Sequence, residues 1–323
     1  MRPGVLAACV VIALALVAIL PASAFAWTPG THVYLGEAVL RSADLLPSGV
    51  AELIRAFSYD FLYGSIAADT SIAKKYAVTG RNCHAWPVGL EIYEKARDEP
   101  LRAFALGYLA HLAADVVAHN YFVPYRLTVT SSTVALGHSY WEARFETHLG
   151  ERVSRRAREL ILLDHSRSDA HLDRILSPTI FSTPTNRRIF RGMVRASDSD
   201  SWQRIFQLMT ERSRWDLVDL DVVAYLSRAF DYVIDVLAQL DHSEPHAQDP
   251  SGERALRMAK RVRREALGLR GMTGAGQPGD ARAAQRAAAK HFGMPATTLD
   301  HSRRLTVPLY PPPPPVVTRN DNN

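Results

Sequence analysis

The stretch from Gly107 to Glu142 constrains the fold more than any other part of the chain. It runs Gly107-Tyr-Leu-Ala-His111-Leu-Ala-Ala-Asp115-Val-Val-Ala-His119-Asn-Tyr-Phe-Val-Pro124 and, after a loop, His138-Ser-Tyr-Trp-Glu142. His111, Asp115 and His119 stand at i, i+4 and i+8, which puts them on one face of an α-helix. Each four-residue step advances about 400°, so the three side chains drift by only about 80° in all. His138 and Glu142 repeat the i, i+4 step on a second predicted helix. The residues between are mostly Ala, Leu and Val, so these polar groups sit in segments that read as buried. Leaving them there without partners would cost several kcal/mol. A lone histidine on an apolar face is more often a hydrogen-bonded core residue than a ligand. Five such groups at helical spacing point instead to divalent metal ions, which need imidazole nitrogens and carboxylate oxygens converging from rigid elements.

The chain begins Met1-Arg2, continues with an apolar run from Val5 to Leu20, and reaches Ala24-Phe-Ala26, which fits the A-x-A cleavage rule. The run is short for a membrane span. Residues 1–26 are therefore expected to be a secretory signal peptide, the mature chain to begin at Trp27, and the protein to be secreted or periplasmic. Leu6-Ala-Ala-Cys9 resembles a lipoprotein box but precedes most of the apolar run instead of following it, so lipidation is not expected. Cleavage would remove Cys9 and leave Cys83 as the only cysteine, excluding an intramolecular disulfide. The formal charge of +5 is matched by the excess of Lys and Arg after Asp241 and is not the footprint of a nucleic-acid-binding core. A monomer without a stable nucleic-acid partner is expected.

Along the chain, a helix is expected from Thr31, after the Pro29-Gly30 turn, with His32 in its first turn. Tyr63 to Thr70 reads as a small-residue turn ending in Asp69, a residue whose ordinary role there is a cap. Asn82 to Pro87 reads as a loop presenting His84. Glu91 to Ala110 reads as helix with a break near Pro100. Glu151–Leu163, Trp202–Met209 and Asp219–Leu240 carry apolar faces at helical spacing. No sustained period-2 run occurs. The expected architecture is all-α, a single helical domain over residues 27–241. Composition then shifts: Glu253–Arg270 is basic, Gly271–Gly279 Gly-rich, Arg282–Lys290 Ala-rich, and Pro311–Pro315 a proline run. Residues 242–323 are expected to form a partly helical, largely disordered tail. Its cations suit peripheral contact with an anionic membrane surface, although a solvated tail is the plainer expectation.

Taken in order, Trp27, His32, Asp69, His84, His111, Asp115, His119, His138 and Glu142 form a series that resembles the zinc-dependent phospholipase C family of bacteria and the related fungal single-strand-specific zinc nucleases. The resemblance covers roughly Trp27 to Leu240. It implies a helical domain with a trinuclear zinc site, and a mature N-terminal tryptophan whose α-amino nitrogen and carbonyl oxygen bind zinc. The cleavage rule independently places Trp27 there. Carried over residue by residue, Trp27 and His32 would hold one zinc, and His84 and His111 a second, with Asp115 bridging the two. His119, His138 and Glu142 would hold the third. Asp69 would be a ligand beside the pair, or the catalytic group that orients or deprotonates the attacking water.

The series departs from the family pattern in its spacing. Three residues separate Asp115 from His119, where the family places five. The Trp27-to-His32 spacing looks like the nucleases, Glu142 looks like the phospholipases, and the His84-to-His111 segment is short compared with the nucleases. The chemistry implied is zinc-dependent hydrolysis of a phosphodiester, foremost phospholipase C-type cleavage of phospholipid head groups by a metal-activated water. The alternatives are a single-strand-specific zinc nuclease and a non-catalytic helical module stabilised by zinc. Tyr34, Tyr63, Trp86, Tyr121, Phe122 and Tyr140 lie near proposed ligands in sequence, where each either lines a substrate cleft or packs in the core. The latter is the ordinary role of such residues.

Overall fold

The computed structural model describes residues 27–71, 81–130, 134–150, 152–176, 181–197, 199–211, 213, 215–268, 278–305 and 307–310. Among them there are helices and no strands, as the hydrophobic periodicity predicts. The expected signal peptide, residues 271–277 of the Gly-rich region and the Pro311–Pro315 run lie outside the described residues. The α-helices are α1 (Pro29–Arg41), α2 (Ser48–Ala56), α3 (Ser58–Ala67), α4 (Trp86–Glu94), α5 (Glu99–Val117), α6 (Val123–Val129), α7 (Val134–Thr147), α8 (Arg152–Ile161), α9 (Ser166–Asp173), α10 (Thr183–Ser197), α11 (Asp200–Glu211), α12 (Asp219–Gln239), α13 (Glu253–Gly268) and α14 (Pro278–Phe292).

Helix α5 is the axis of the bundle. Asp98 caps it by accepting a hydrogen bond from the Leu101 N–H (3.0 Å), and Pro100 sits in the first turn, where its missing N–H costs nothing. From Ala103 to Val117 every residue is buried, so α5 is enclosed on every side, as a core helix is. The continuous helical stretch Glu99–Val129 is long and apolar enough to cross a membrane, yet 94% of its most apolar window is buried inside the bundle. Helices α3, α12 and α4 surround it. The break expected near Pro100 is real: it is the start of α5, separated from α4 by a short link.

The tightest crossing joins α3 to α5. A Cβ on Gly64 would stand 2.0 Å from the Phe104 carbonyl oxygen, and one on Gly107 would stand 2.0 Å from that of Phe61. The two glycines therefore face each other's helix backbone. This overturns the reading of Tyr63–Thr70 as a turn. The stretch is the end of α3 followed by a 3₁₀ turn over Ala68–Thr70, and its small residues serve a close helix–helix approach instead of a reversal. Two boundaries also move: α1 starts at Pro29, and α4 starts at Trp86 with Pro87 in its first turn, leaving only the residues before Trp86 as the loop that presents His84.

The described part of the C-terminal extension is folded onto the core, further than its composition suggests. Ala255, Ala259 and Val262 on α13, and Ala284, Ala288 and Phe292 on α14, are buried. Each set is a narrow stripe at helical spacing that an average over composition hides, and both helices pack against α6. Beyond them, the Ser302 N–H donates to Asp231 (2.6 Å), the Tyr310 hydroxyl donates to Asp219 (3.0 Å), and Tyr34 donates to the Leu309 carbonyl.

Candidate metal centre

All nine residues singled out in the sequence are at most 5% exposed. His111 and Asp115 project from α5. His32 comes from the first turns of α1, Asp69 from the 3₁₀ turn after α3, His84 from the turn before α4, and His138 and Glu142 from α7. Helix α1 is held in place by Glu146 of α7, which accepts hydrogen bonds from the Thr28 hydroxyl and from the N–H groups of Gly30 and Thr31. Both N–H groups lie in the first turn of α1, where the backbone has no i−4 partner within the helix.

Asp115 lies at the centre. Its Oδ1 is 3.2 Å from His32 Nε2, while its Oδ2 is 3.1 Å from both His84 Nε2 and His111 Nε2. The two imidazole nitrogens on the Oδ2 side are 3.0 Å apart, and Asp69 Oδ1 is 3.4 Å from His84 Nε2 and 4.0 Å from His111 Nε2. Ligands held tetrahedrally at about 2.0–2.1 Å from a zinc ion stand about 3.3 Å from one another. The measured separations are close to the edges of such a shell, so the residues fit a metal, with one carboxylate oxygen of Asp115 available to each of two ions. Neither Asp115 oxygen makes a well-aligned hydrogen bond.

The protonation states agree with this geometry. His111 Nδ1 is 2.8 Å from the Ser65 carbonyl oxygen. A carbonyl only accepts, so Nδ1 carries the proton and Nε2 keeps its lone pair. Burial, helped by neighbouring His111, lowers His32 to about 4, so it is a neutral imidazole at pH 7. Burial alone would raise the Asp115 carboxyl, but His111, His32 and His84 outweigh it and hold the group well below the usual carboxylate range. Neutral imidazoles around an ionised carboxylate are what a divalent cation requires.

His119, His138 and Glu142 form a separate group, with candidate ligand atoms all within 4.8 Å of one another. His138 Nε2 is 2.6 Å from Glu142 Oε1. The short Asp115-to-His119 spacing is accommodated by a π-helical turn over Ala118–Phe122. Pro124 supplies a cause: it lacks the N–H that an α-helix would direct to the Asn120 carbonyl, and its ring crowds that carbonyl. The wider turn relieves this, and such turns recur at functional sites.

Trp27 is fully buried, stacked on Phe145 at 5.0 Å with its ring centroid 6.3 Å from that of His32. Tyr63 and Phe122 are core residues; the Tyr63 hydroxyl donates to Asp169 (2.6 Å) and its ring stacks on His165. His165 and His171 each bond a backbone carbonyl and lie outside the metal groups. Reading the sequence missed the supporting groups Ser65, Glu146, Pro250 and Gly252. The Asp249-Pro-Ser-Gly252 run is a turn signal, but nothing in it announces what the turn touches.

No curated protein and no solved structure matches the chain. The family model described as zinc dependent phospholipase C matches residues 31–187, which contain eight of the nine candidate ligands, all but Trp27. Through that region, which carries the paired and separate histidine–carboxylate groups, the chain is similar to the zinc dependent phospholipase C family.

Proposed function

We propose that this chain is a zinc-dependent phosphodiesterase of phospholipase C type that cleaves phospholipid head groups, with Trp27, His32, Asp69, His84, His111, Asp115, His119, His138 and Glu142 as its metal-binding set. The observation that carries the reading is Asp115, whose two oxygens face different imidazoles as a carboxylate shared by two ions would. A purely structural role is less well supported. Structural zinc has four protein ligands, whereas the His119–His138–Glu142 group offers three. The His84-to-His111 segment is almost wholly helical, leaving no loop there for base stacking, which supports a phospholipid over a nucleic acid.

Zinc, when bound, supplies the Lewis acidity that activates water at neutral pH and neutralises charge on the phosphoryl oxygens. The chain's own residues do the rest. His32, His84 and His111 would offer imidazole nitrogens to the ions, and Asp115 would offer one carboxylate oxygen to each side. Asp69 Oδ1, at the edge of the pair, orients the incoming water and takes its proton. His119, His138 and Glu142 define a third position suited to the leaving oxygen.

The test is zinc content and hydrolysis by the chain beginning at Trp27, before and after chelation, on phosphatidylcholine vesicles and on single-stranded DNA. About three zincs per chain, with chelator-sensitive phosphatidylcholine cleavage, is the expected result. Cleavage of DNA alone would transfer the reading to the nucleases. Neither activity, with one zinc or none, would overturn it.

The same reading gives the main-chain amine of Trp27 a role. One extra residue ahead of Trp27 is expected to lower zinc content and cut hydrolysis at least tenfold, because an amide nitrogen is a far poorer ligand than an amine. Full activity of the extended chain would remove Trp27 from the set. Trp27→Ala is not a clean test, since emptying this buried site costs about 3–5 kcal/mol by itself.

A further inference from the structure

His119 is supported by a segment far from it in sequence and outside the family-matched region. His119 Nδ1 lies 2.7 Å from the Pro250 carbonyl oxygen. Gly252 has φ +54°, and a Cβ there would stand 2.3 Å from His119 Cβ and 2.5 Å from the His119 carbonyl oxygen. Both requirements, positive φ and direct contact with a neighbouring backbone, are ones that only glycine meets. The segment is tied to the π-helical turn itself and to α4 and α12. The Asp249 carbonyl accepts from Asn120 Nδ2 (2.8 Å), and the Gln248 carbonyl accepts from Trp86 Nε1 (2.8 Å). The Gln248 side chain bonds the hydroxyls of Tyr121 and Tyr232.

We infer that residues 248–252 are a positioning strap for the third metal site, resting on the metal-binding reading above: the Pro250 carbonyl sets the His119 tautomer, and Gly252 lets it come close enough to do so. Because a carbonyl can only accept, Nδ1 of His119 holds the proton and Nε2 is left with the lone pair a metal requires. Carbonyl partners of this kind fix both ring orientation and basicity, and losing one costs about 10–100-fold in metal affinity. The functional unit therefore extends past Asp241, where composition alone would end the domain, to at least Gly252. Asn120 serves the same end, since it pins the strap to the turn that carries His119.

The experiment uses the full mature chain and two variants, Gly252→Ala and Asn120→Ala. Zinc content is read by elemental analysis, the weakest-bound zinc by chelator competition, and the His119 tautomer by imidazole ¹⁵N shifts. The wild type is expected to show the Nδ1–H tautomer. Gly252→Ala is expected to lose about one zinc equivalent, or to bind its weakest zinc at least tenfold less tightly, with helix content unchanged. Asn120→Ala is expected to shift the same site in the same direction by less, and it supplies the measurement if Gly252→Ala does not fold. Pro250→Ala, which keeps the carbonyl, is expected to retain zinc. An Nε2–H tautomer in the wild type, or wild-type zinc binding in both Gly252→Ala and Asn120→Ala, would overturn the strap while leaving the phosphodiesterase reading intact. A wild type that binds no zinc would instead overturn both.

Discussion

Gly107→Ala is expected to destabilise the protein by about 3 kcal/mol or more, near the upper end for overpacking a tight interior, and to lower the melting temperature by roughly 10 °C. The added methyl would fall 2.0 Å from the Phe61 carbonyl oxygen and 2.9 Å from the Ser65 nitrogen. Both are backbone atoms, which cannot swing aside as a flexible side chain would. Relief requires α3 and α5 to separate. That movement reaches the metal centre, because the Ser65 carbonyl that orients His111 rides on α3 while His111 itself stands one turn beyond Gly107 on α5. The variant should therefore also bind zinc more weakly, a change that separates this site from ordinary core damage elsewhere. Thermal melts of the zinc-loaded and chelated forms would check both effects. A melting temperature within 2 °C of wild type would show that the crossing is looser than described.

Asp115→Ala is expected to abolish hydrolysis, with a loss of at least about 10³-fold, or about 4 kcal/mol of barrier. Three imidazole nitrogens converge on this buried carboxylate at 3.1–3.2 Å. Without it, His32 on one side and His84 with His111 on the other have nothing in common to hold two cations at a fixed separation, and no negative charge offsets theirs. Zinc should be lost from this pair, while the His119–His138–Glu142 group, which has its own carboxylate, keeps its share. Asp115→Asn provides the control: it preserves shape but removes the charge, so similar losses in both variants assign the effect to electrostatics and not to a cavity. The decisive measurement is zinc content beside initial rates. Retention of all zinc and of activity in either variant would falsify the bridging role.

The helical class was legible because its evidence is local. Apolar spacing over Asp219–Leu240 locates α12 to within a residue of its observed Gln239 end, and the break expected near Pro100 is the start of α5. The candidate series could be picked out for the same reason. The i, i+4 steps of His111–Asp115 and His138–Glu142 follow from helix geometry wherever the helices lie, and histidines and carboxylates are chemically conspicuous. The small-residue stretch at Tyr63–Thr70 misled, because glycine reports close approach and chain reversal alike, and only the opposite partner, Gly107, tells them apart.

Residue spacing alone picked out the candidate ligands and placed His111, Asp115, His138 and Glu142 on helices. The tertiary structure decided who shares whom. His84, from the turn before α4, and His111, from α5, share one oxygen of Asp115 while His32 of α1 faces the other, and the π-helical turn ahead of Pro124 brings His119 to His138 and Glu142 despite its short spacing. The supporting shell could not be read in advance. It is built largely from main-chain carbonyls such as those of Ser65 and Pro250, and every residue carries one, so residue type says nothing about which carbonyl a histidine will find. Packing alone makes that choice.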